Sequence, residues 1–389
     1  MGKRWKKAIM LIDMDAFFAA VEILDNPQLR NRAVSVTNGI HGSTIITCSY
    51  VARRYGIHTG MSIHKARHLC PDLVNVAARH QRYHQLSTAI MHYIGTAFTP
   101  DIEVFSVDEA FLDVTRCQTR FPHLPSLAKA IQQGIYNRFH LPASIGLSGD
   151  KTTAKYAAKC AKPYGIQVIP PERAAHFLKA VPVTELCGIA HNIAYVLAEY
   201  GVHYCADIMR IPKSILQQRL GVMGVRIWYM CQGLDPAPVY TSVKKPRTMG
   251  HGKVLPPHTN SKATILYYFA HMAAKLSERL HQEGYYAKEW CFAIRTAQKT
   301  WIKSTVTHTI RYRVYESIMG MIHHFLAAKW QGEVITHVQI TAGSLQAMQQ
   351  LDLFEQGAAR PDLQQTLRDI NHKYPNNPVT YARIIEPIK

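Results

Sequence analysis

The chain has 389 residues, of which 47% are apolar and 18% are charged, and this composition predicts several folded domains and argues against a disordered protein. Forty-five Lys and Arg against 26 Asp and Glu give a formal net charge of +19, which favours nucleic acid as a partner over an anionic membrane surface. No segment approaches the roughly 18 uninterrupted apolar residues of a spanning helix, so we expect no membrane. Eight cysteines without a CxxC pair predict reduced thiols in a cytoplasm.

Strand and helix patterns alternate through the first 170 residues. Strands are predicted at residues 8–15 and 43–49, a mostly helical stretch at 50–97, and a strand on both sides of an acidic pair at 102–115. A helix at about 124–139, a strand at 142–149 and a helix at about 151–161 follow. This order predicts an α/β unit.

The remaining chain has two further patterns. Residues 171–240 predict short helices interrupted by glycine, and the polar segment 241–253 predicts a linker. From about residue 248 to 345 the order is strand, helix, two strands, helix and strand, which predicts one sheet with both helices on a single face. Fourteen Lys and Arg against five acids give residues 241–345 a net charge of +9, whereas the tail from 346 to 389 is neutral. The basic character therefore belongs to a folded module.

Two acidic pairs interrupt apolar stretches. Asp13 and Asp15 follow the run IMLI, and Asp108 and Glu109 lie in the stretch 102–115. If the two strands are neighbours, three or four carboxylates meet at one end of a sheet, where like charges require a cation. Residues two apart in a strand face one side, so Asp13 and Asp15 are expected to point the same way. With no His or Cys beside them, these oxygens favour Mg²⁺, although each pair alone fits a solvated strand end equally well.

Together these segments resemble a known family. DMDAFFAAVE (13–22) and SVDEAFLDVT (106–115) are similar to the two catalytic motifs of the Y-family translesion DNA polymerases, and most closely to those of the bacterial DNA polymerase IV branch. NPQLRNRAVSV, SYVARRYGIHTGM and KTTAKYAAKCAKPYG match in the family's order, so the resemblance covers the chain to about residue 345. It leaves open whether the closer relative is polymerase IV or the polymerase V catalytic subunit.

The resemblance implies an α+β fold with a right-hand polymerase architecture. The implied domains are a palm at 1–16 and 80–170, fingers at 17–79, a helical thumb with helix-hairpin-helix elements at 171–240, a linker at 241–250, a βαββαβ little-finger domain at 251–345 and a C-terminal tail with a clamp-binding motif at 346–389. Cys187 and Ala190 depart from the family's pattern in the first hairpin, so whether that hairpin binds DNA phosphates or is a pair of packed helices stays open.

The implied activity is template-directed, error-prone translesion DNA synthesis. In this reaction nucleotides are transferred from dNTPs to a primer 3′-OH without proofreading. The enzyme is expected to be a monomer. Asp13, Asp108 and Glu109 would be catalytic and would hold two Mg²⁺ ions, with the backbone carbonyl of Met14 as an extra ligand. Asp15 matches the motif but is not a direct ligand in the family, which implies a structural role.

The resemblance also assigns residues around the incoming nucleotide. Tyr50, Arg53 and Lys162 would bind the triphosphate, although Arg53 on its own fits a solvated helix face. Phe18 would be the steric gate that rejects a ribose 2′-hydroxyl, whereas Phe17 is expected in the core. The positions that would cover the nascent base pair are Thr44, Ile46 and Gly60. Ile46 is bulkier than the smallest side chains that the family uses there, so the lesion spectrum stays open.

The segment QLDLF resembles the short clamp-binding peptide of bacterial replication proteins. Its residues are Gln350, Leu351, Asp352, Leu353 and Phe354, and they imply the bacterial sliding clamp as a partner. A helix start that packs on its own domain is the alternative. Two rival functions are a noncatalytic polymerase-like accessory factor recruited by the clamp, which the intact carboxylates disfavour, and a nucleotide cyclase, which has no use for a basic module.

Overall fold

The computed structural model describes residues 4–39, 44–121, 123–242, 245–312, 315–347 and 370, and it leaves the side chains of 308–312 undescribed. The chain divides into two compact units, Met1–Val243 and Lys244–Lys389. Helices and sheets occur in both, in agreement with the predicted α+β class. The boundary between the units falls within the segment 241–250 that the sequence predicts as a linker.

Eight described strands belong to the first unit. They are β1 (Ile9–Met14), β2 (Val34–Thr37), β3 (Ile45–Cys48), β4 (Val74–Ala77), β5 (Ile102–Val104), β6 (Glu109–Asp113), β7 (Ala143–Ser148) and β8 (Ile166–Val168). Five of them form a sheet in the order β5-β6-β1-β7-β8, and the other three form a small sheet in the order β3-β2-β4. The strand β1, which carries the first acidic pair at its end, is thus central in the larger sheet.

The described helices of this unit fall into two groups: the first six pack against the two sheets, and the last three share a hydrophobic cluster of their own. They are α1 (Phe17–Asp25), α2 (Tyr50–Arg54), α3 (Ile63–Leu69), α4 (His80–Ala97), α5 (Leu124–Phe139), α6 (Lys151–Ala161), α7 (Ala174–Leu178), α8 (His191–Glu199) and α9 (Lys213–Met230). The strand β1 is buried along its length because helices cover both faces of the sheet. Met10 and Ile12 belong to the core cluster that includes side chains of α4 and α5, whereas Ile9 and Leu11 pack with side chains of α6.

One sequence-based expectation for this unit was incomplete and another was wrong. The stretch 50–97 is mostly helical, as expected, but it also contains the strand β4, which pairs in parallel with β2. Four residues are too few for strand periodicity to stand out between two helices. The stretch 102–115 is a hairpin of β5 and β6, because the chain turns where the Phe105 N–H donates to the Glu109 carbonyl at 2.9 Å. Asp108 therefore lies in the turn, and only Glu109 lies in a strand.

The second unit has the predicted βαββαβ order. Its described elements are β9 (Met249–Val254), α10 (Lys262–Gln282), β10 (Tyr285–Thr296), β11 (Trp301–Tyr312), α11 (Tyr315–Lys329) and β12 (Ile335–Ala347). The sheet order is β11-β10-β12-β9, and α10 and α11 share one core with the side chains of one sheet face. Trp290, Phe292 and Ile340 are fully buried in this core. In the described part of the chain, every helix is too short or too polar to cross a membrane.

Candidate active site

The register of the central sheet brings the two acidic motifs together. In the antiparallel pair of β1 and β6, Asp13 lies directly opposite Glu109. One residue further along β1, the Met14 N–H donates to the Asp108 carbonyl at 2.9 Å. Directly opposite residues of an antiparallel pair share a face of the sheet, so Asp13 and Glu109 project to the same side. The expectation that the two acidic segments are neighbours is confirmed.

Two lysines bind these carboxylates. The Lys162 ammonium donates to Asp13 Oδ1 at 2.6 Å, and the Lys155 ammonium, from α6, donates to Glu109 Oε1. The Ser106 hydroxyl donates to Asp108 Oδ1 at 2.6 Å. Sequence reasoning missed Lys155 and Ser106. The sequence signal for Lys155 was the four-residue spacing of three lysines, which places them on one face of a helix. In the structure these lysines pair with three glutamates: Lys151 with Glu103, Lys155 with Glu109, and Lys159 with Glu185.

The electrostatics of the site reflect this crowding of acids. The pKa of Asp13 is raised to about 6, mainly by burial and to a smaller extent by the negative charges of Glu109 and Asp108, against the lowering effect of Lys162. Asp13 is only 8% exposed. The carboxylate of Asp13 is therefore held in a position where additional positive charge is favourable.

The residues present fit the divalent cations that the sequence implies. Within the described ranges no three His, Cys, Asp or Glu side chains are close enough to surround a metal ion as they are placed. Ammonium groups instead compensate the carboxylates of Asp13 and Glu109. The donor set consists of carboxylate oxygens of Asp13, Asp108 and Glu109, which suits a hard cation such as Mg²⁺. The pKa of Asp13 stays raised, mainly by burial, even with the Lys162 ammonium beside it.

Asp15 has a different environment from Asp13. It is 1% exposed and accepts hydrogen bonds from the Ser144 hydroxyl at 3.0 Å, the Tyr50 hydroxyl at 3.1 Å and the Tyr164 N–H at 2.7 Å. The strand β1 ends at Met14, so Asp15 lies outside it, and the next residue, Ala16, adopts a left-handed conformation with φ of 47°. Asp15 thus ties β7, α2 and the loop after α6 to the end of β1, as a structural role requires.

Tyr50 and Arg53 lie next to this junction at the start of α2. The Ser49 hydroxyl caps the helix by accepting from the Ala52 N–H. The Arg53 guanidinium lies over the Tyr50 ring, 4.6 Å from its centroid. Burial raises the pKa of Tyr50, and the negative charge of Asp15 raises it further, so its hydroxyl stays protonated as a donor. Tyr50 thus contacts Asp15 and Lys162 contacts Asp13, whereas Arg53 contacts the Tyr50 ring.

The two phenylalanines of α1 differ in burial. Phe17 is 2% exposed and belongs to the main core, whereas Phe18 is half-buried. The Phe18 ring stacks on Tyr83 of α4 with centroids 4.2 Å apart and planes 11° from parallel. The Tyr83 hydroxyl donates to Glu22 at 2.7 Å. Sequence reasoning also missed Tyr83, whose ring packs on one face of the Phe18 ring and holds it in place.

The residues expected over the nascent base pair come together beside α1. Ile46 and Phe18 both pack against the small cluster of Ala16, Ala19 and Val36. The Gly60 N–H donates to the Ile45 carbonyl at 2.8 Å, which places Gly60 beside β3. Gly60 has a φ of +87°, and a Cβ there would meet no atom within 4 Å. Thr44 forms a bridge with Ser62, so all three positions lie along one strand and its neighbouring loop.

Of the two remaining predicted segments, the structure describes the first hairpin but not the clamp peptide. Cys187 and Ala190 precede α8, and Gly188 between them has a φ of +96°. DNA binding by this hairpin stays a prediction. The predicted clamp peptide, Gln350 to Phe354, lies outside the described residues.

Comparison with known proteins identifies similar chains. The impB/mucB/samB family matches residues 12–159, and the C-terminal domain of that family matches residues 246–353. The chain is 34% identical over 287 residues to DNA polymerase IV of Streptococcus pneumoniae serotype 2, which covers 71% of this chain and 79% of that protein. It is 29% identical over 379 residues to DNA polymerase IV 1 of Bacillus subtilis (strain 168), with 95% and 91% covered. Its fold is similar to that of a chimeric Y-family DNA polymerase, with a TM-score of 0.76, 24% identity, and 88% of this chain and 100% of the other covered.

Proposed function

We propose that Asp13, Asp108 and Glu109 are the catalytic carboxylates of this chain, which belongs to the Y family of DNA polymerases and, within it, to the DNA polymerase IV branch. The chain is a DNA-directed DNA polymerase with the α+β right-hand architecture, and it performs translesion synthesis on DNA with dNTPs. The accessory-factor alternative is not favoured. The observation that carries the catalytic assignment is the register that sets Asp13 opposite Glu109, with Asp108 bonded through its carbonyl to Met14.

The proposed metal ligands are the three carboxylates and the backbone carbonyl of Met14. Burial, with a smaller contribution from the neighbouring carboxylates of Glu109 and Asp108, raises the pKa of Asp13, and this unfavourable buried charge supports a cation requirement at this place. When bound, two Mg²⁺ ions would supply the positive charge that nucleotidyl transfer needs on the attacking and leaving oxygens. Asp13 and Glu109 hold their positions because they are fixed in adjacent strands, and Asp108 is oriented by the Ser106 hydroxyl.

Three side chains are proposed to bind the dNTP triphosphate. Lys162 already reaches Asp13, so a small change of side-chain rotamer would bring its ammonium to a phosphate beside that carboxylate. Tyr50 offers a protonated hydroxyl, and Arg53 offers a guanidinium whose plane is oriented by the Tyr50 ring. A guanidinium can donate two parallel hydrogen bonds to phosphate oxygens, which orients the nucleotide as well as binding it.

Primer extension tests the catalytic assignment. We expect the wild-type chain to extend a primer with Mg²⁺ on undamaged and on damaged templates, and we expect Asp108→Ala to abolish extension while primer–template binding stays measurable. The reason is that Asp108 contributes charge at the reacting phosphate and not to the grip on DNA. Extension by Asp108→Ala at the wild-type rate would contradict the assignment, and absence of extension by both chains would favour the accessory-factor alternative.

The sugar selectivity depends on Phe18. Phe18→Ala should raise the incorporation of ribonucleotides relative to deoxyribonucleotides by roughly a hundredfold, because the half-buried ring is proposed to occupy the space of a 2′-hydroxyl. The measurement is the ratio of kcat/KM for each nucleotide pair. Tyr83→Phe is the matched control, since it keeps the stacked ring and loses only the hydroxyl bond to Glu22. Unchanged selectivity in Phe18→Ala would mean that another residue is the gate.

The sliding clamp is the proposed protein partner, on the basis of the QLDLF sequence. Leu353 and Phe354 would fill an apolar pocket on the clamp, so the double substitution of both by Ala should abolish clamp binding in surface plasmon resonance without changing extension in the absence of the clamp. A monomeric state and a cytoplasmic location are also proposed. The eight cysteines, all free thiols, support a reducing compartment.

A further inference from the structure

The loop that joins α6 to β8, residues 162–165, lies against the end of β1 that carries the first acidic pair. The Lys162 ammonium donates to Asp13 Oδ1 at 2.6 Å. The Tyr164 backbone N–H donates to Asp15 Oδ2 at 2.7 Å. The two donors are two residues apart in the chain, and so are the two acceptors. The loop is therefore hydrogen-bonded to the acidic segment at two successive points, once through a flexible side chain and once through the backbone.

Tyr164 adopts an unfavourable backbone conformation. Its φ is 52°, in the left-handed region. Residues with large side chains rarely adopt this conformation, because their Cβ comes close to the following carbonyl oxygen, and glycine or asparagine is the usual residue there. Such outliers persist where the surrounding contacts over-determine them, and they are concentrated at sites that bind ligands. A tyrosine at this position therefore indicates that its side chain supplies a contact that a smaller residue would not.

The Tyr164 ring contacts the ring of Tyr136 in α5. The two ring centroids are 5.6 Å apart and the ring planes are inclined by 58°. Both side chains are largely exposed, at 44% for Tyr164 and 45% for Tyr136. A pair as exposed as this buries little apolar surface, so it contributes little to the core. What the contact does is hold the loop from the side of the sheet that α5 covers.

The residue after Tyr164 fixes the other end of the loop. A Cβ at Gly165 would lie 2.1 Å from the Ala161 carbonyl oxygen, so the chain passes too close to the end of α6 for any side chain. The Gly165 carbonyl accepts from the Ile145 N–H of β7 at 2.9 Å. Because residue 165 is fixed in this way, the position of the Lys162 backbone depends on how firmly Tyr164 is held.

Nucleotide binding makes this dependence important. Lys162 is proposed to turn from Asp13 to a phosphate when a dNTP binds, and this breaks the first of the two hydrogen bonds. The bond from the Tyr164 N–H to Asp15 and the ring contact with Tyr136 remain. They keep the loop backbone in place, so that only the Lys162 side chain has to move. A donor that is held in position before its ligand arrives binds more tightly, because less conformational freedom is lost on binding.

We propose that Tyr164 is a positioning residue for the incoming nucleotide. Its backbone N–H on Asp15 and its ring on Tyr136 hold the loop so that the Lys162 ammonium reaches the triphosphate. This inference rests on the proposed triphosphate role of Lys162, and it gives a role to a residue that the family resemblance leaves without one. Because the contact is with phosphates, the effect is the same for all four dNTPs.

Steady-state incorporation of a single dNTP by the full chain on a primer–template tests the proposal. Tyr164→Asn keeps the backbone N–H and introduces a residue that tolerates the left-handed conformation, but it removes the ring. We expect KM for the dNTP to rise roughly tenfold while kcat stays within about twofold of wild type, because binding is affected and the reacting groups are not. Tyr136→Ala should raise KM in the same way, and Tyr164→Phe, which keeps the ring, should behave like wild type.

His140→Asn is the matched control. His140 is exposed, has a φ of 54° and contacts the Tyr136 ring with centroids 6.3 Å apart, but it lies at the end of α5 and not in the loop. The substitution therefore makes the same kind of backbone change and removes a ring from the same partner. Its KM for the dNTP should stay within about twofold of wild type.

A double-mutant cycle shows whether Tyr164 acts through Lys162. Lys162→Met alone should raise KM, and the addition of Tyr164→Asn should raise it no further. Fully additive effects would overturn the proposal, as would an equal rise of KM in His140→Asn. If Lys162→Met raises KM and Tyr164→Asn does not, the positioning role alone fails. If Lys162→Met leaves KM unchanged, the proposed triphosphate role of Lys162 fails and the positioning role fails with it.

Discussion

Asp13→Asn should lower kcat for primer extension by roughly a thousandfold or more and leave the melting temperature equal to or above that of wild type. Loss of several kcal/mol of charge stabilisation in the transition state corresponds to this decrease in rate. The stability does not fall because burial, and to a smaller extent two neighbouring acids, raises the pKa of the Asp13 carboxylate, so its charged form is unfavourable in the folded chain. An amide at this position removes the repulsion, and Lys162, whose side chain is 25% exposed, can turn toward water.

Asp15→Asn is the matched comparison, since it makes the same chemical change two residues away. Asp15 accepts from three donors, and an amide would aim its own NH₂ at one of them. A buried donor facing a donor costs about 1–3 kcal/mol, which corresponds to a decrease in melting temperature of about 5 °C. Thermal melts and single-turnover extension, measured on both variants, separate the two roles. Equal loss of stability in both would mean that Asp13 is a structural residue as well.

Local sequence signals were sufficient where the structure depends on local interactions. The bounds predicted for α5 and α6 agree with the structure, because each helix begins with its own signal. Pro125 stands in the first turn of α5, and the Asp150 side chain caps α6 by accepting from the Thr153 N–H. The buried strand β1 could also be predicted from the sequence alone, as an apolar run that ends at two aspartates.

Contacts between distant segments could not be read in the same way. Lys155 meets Glu109 only because α6 packs across β1 while β6 pairs with it, and neither arrangement is encoded in the residues next to Lys155. The stacking of Tyr83 on Phe18 joins two helices that are separated in sequence by the whole small sheet. The family resemblance supplied the proposed catalytic residues without these neighbours. Their positions follow from the sheet order, and the sheet order is set by burial over the entire unit.

The second large effect concerns Asp235, which joins the end of α9 to α6. Its carboxylate is 0% exposed and accepts from Arg226 through two nitrogens at 2.9 Å, from the Thr152 hydroxyl at 2.7 Å and from the Ala237 N–H at 3.1 Å. Asp235→Ala should lower the free energy of unfolding by about 2–4 kcal/mol, because it removes the buried partner of a partly exposed arginine and leaves the Thr152 hydroxyl and the Ala237 N–H without an acceptor. The melting temperature should fall by roughly 10 °C.

Glu199→Ala is the control for Asp235→Ala, since Glu199 also pairs with an arginine, Arg219, but both side chains are exposed, at 41% and 50%. An exposed pair contributes about 0–1 kcal/mol, so its loss should change the melting temperature by less than about 3 °C. Equal effects of the two substitutions would show that burial of Asp235 does not matter.

The pH dependence of the difference between wild type and Asp235→Ala gives an independent check. Burial alone would raise the pKa of Asp235, but the hydrogen bonds from Arg226 and Thr152 outweigh it and bring the pKa below its ordinary value. A carboxyl whose pKa is lower in the folded than in the unfolded chain stabilises the fold above the unfolded value, about 3.9, and loses this contribution as the pH falls through the folded value. The stability advantage of wild type should therefore be constant from pH 5 to 7 and shrink below about pH 4, as measured by urea unfolding at each pH. An advantage that persists undiminished in acid would mean that packing, and not the ion pair, accounts for the loss.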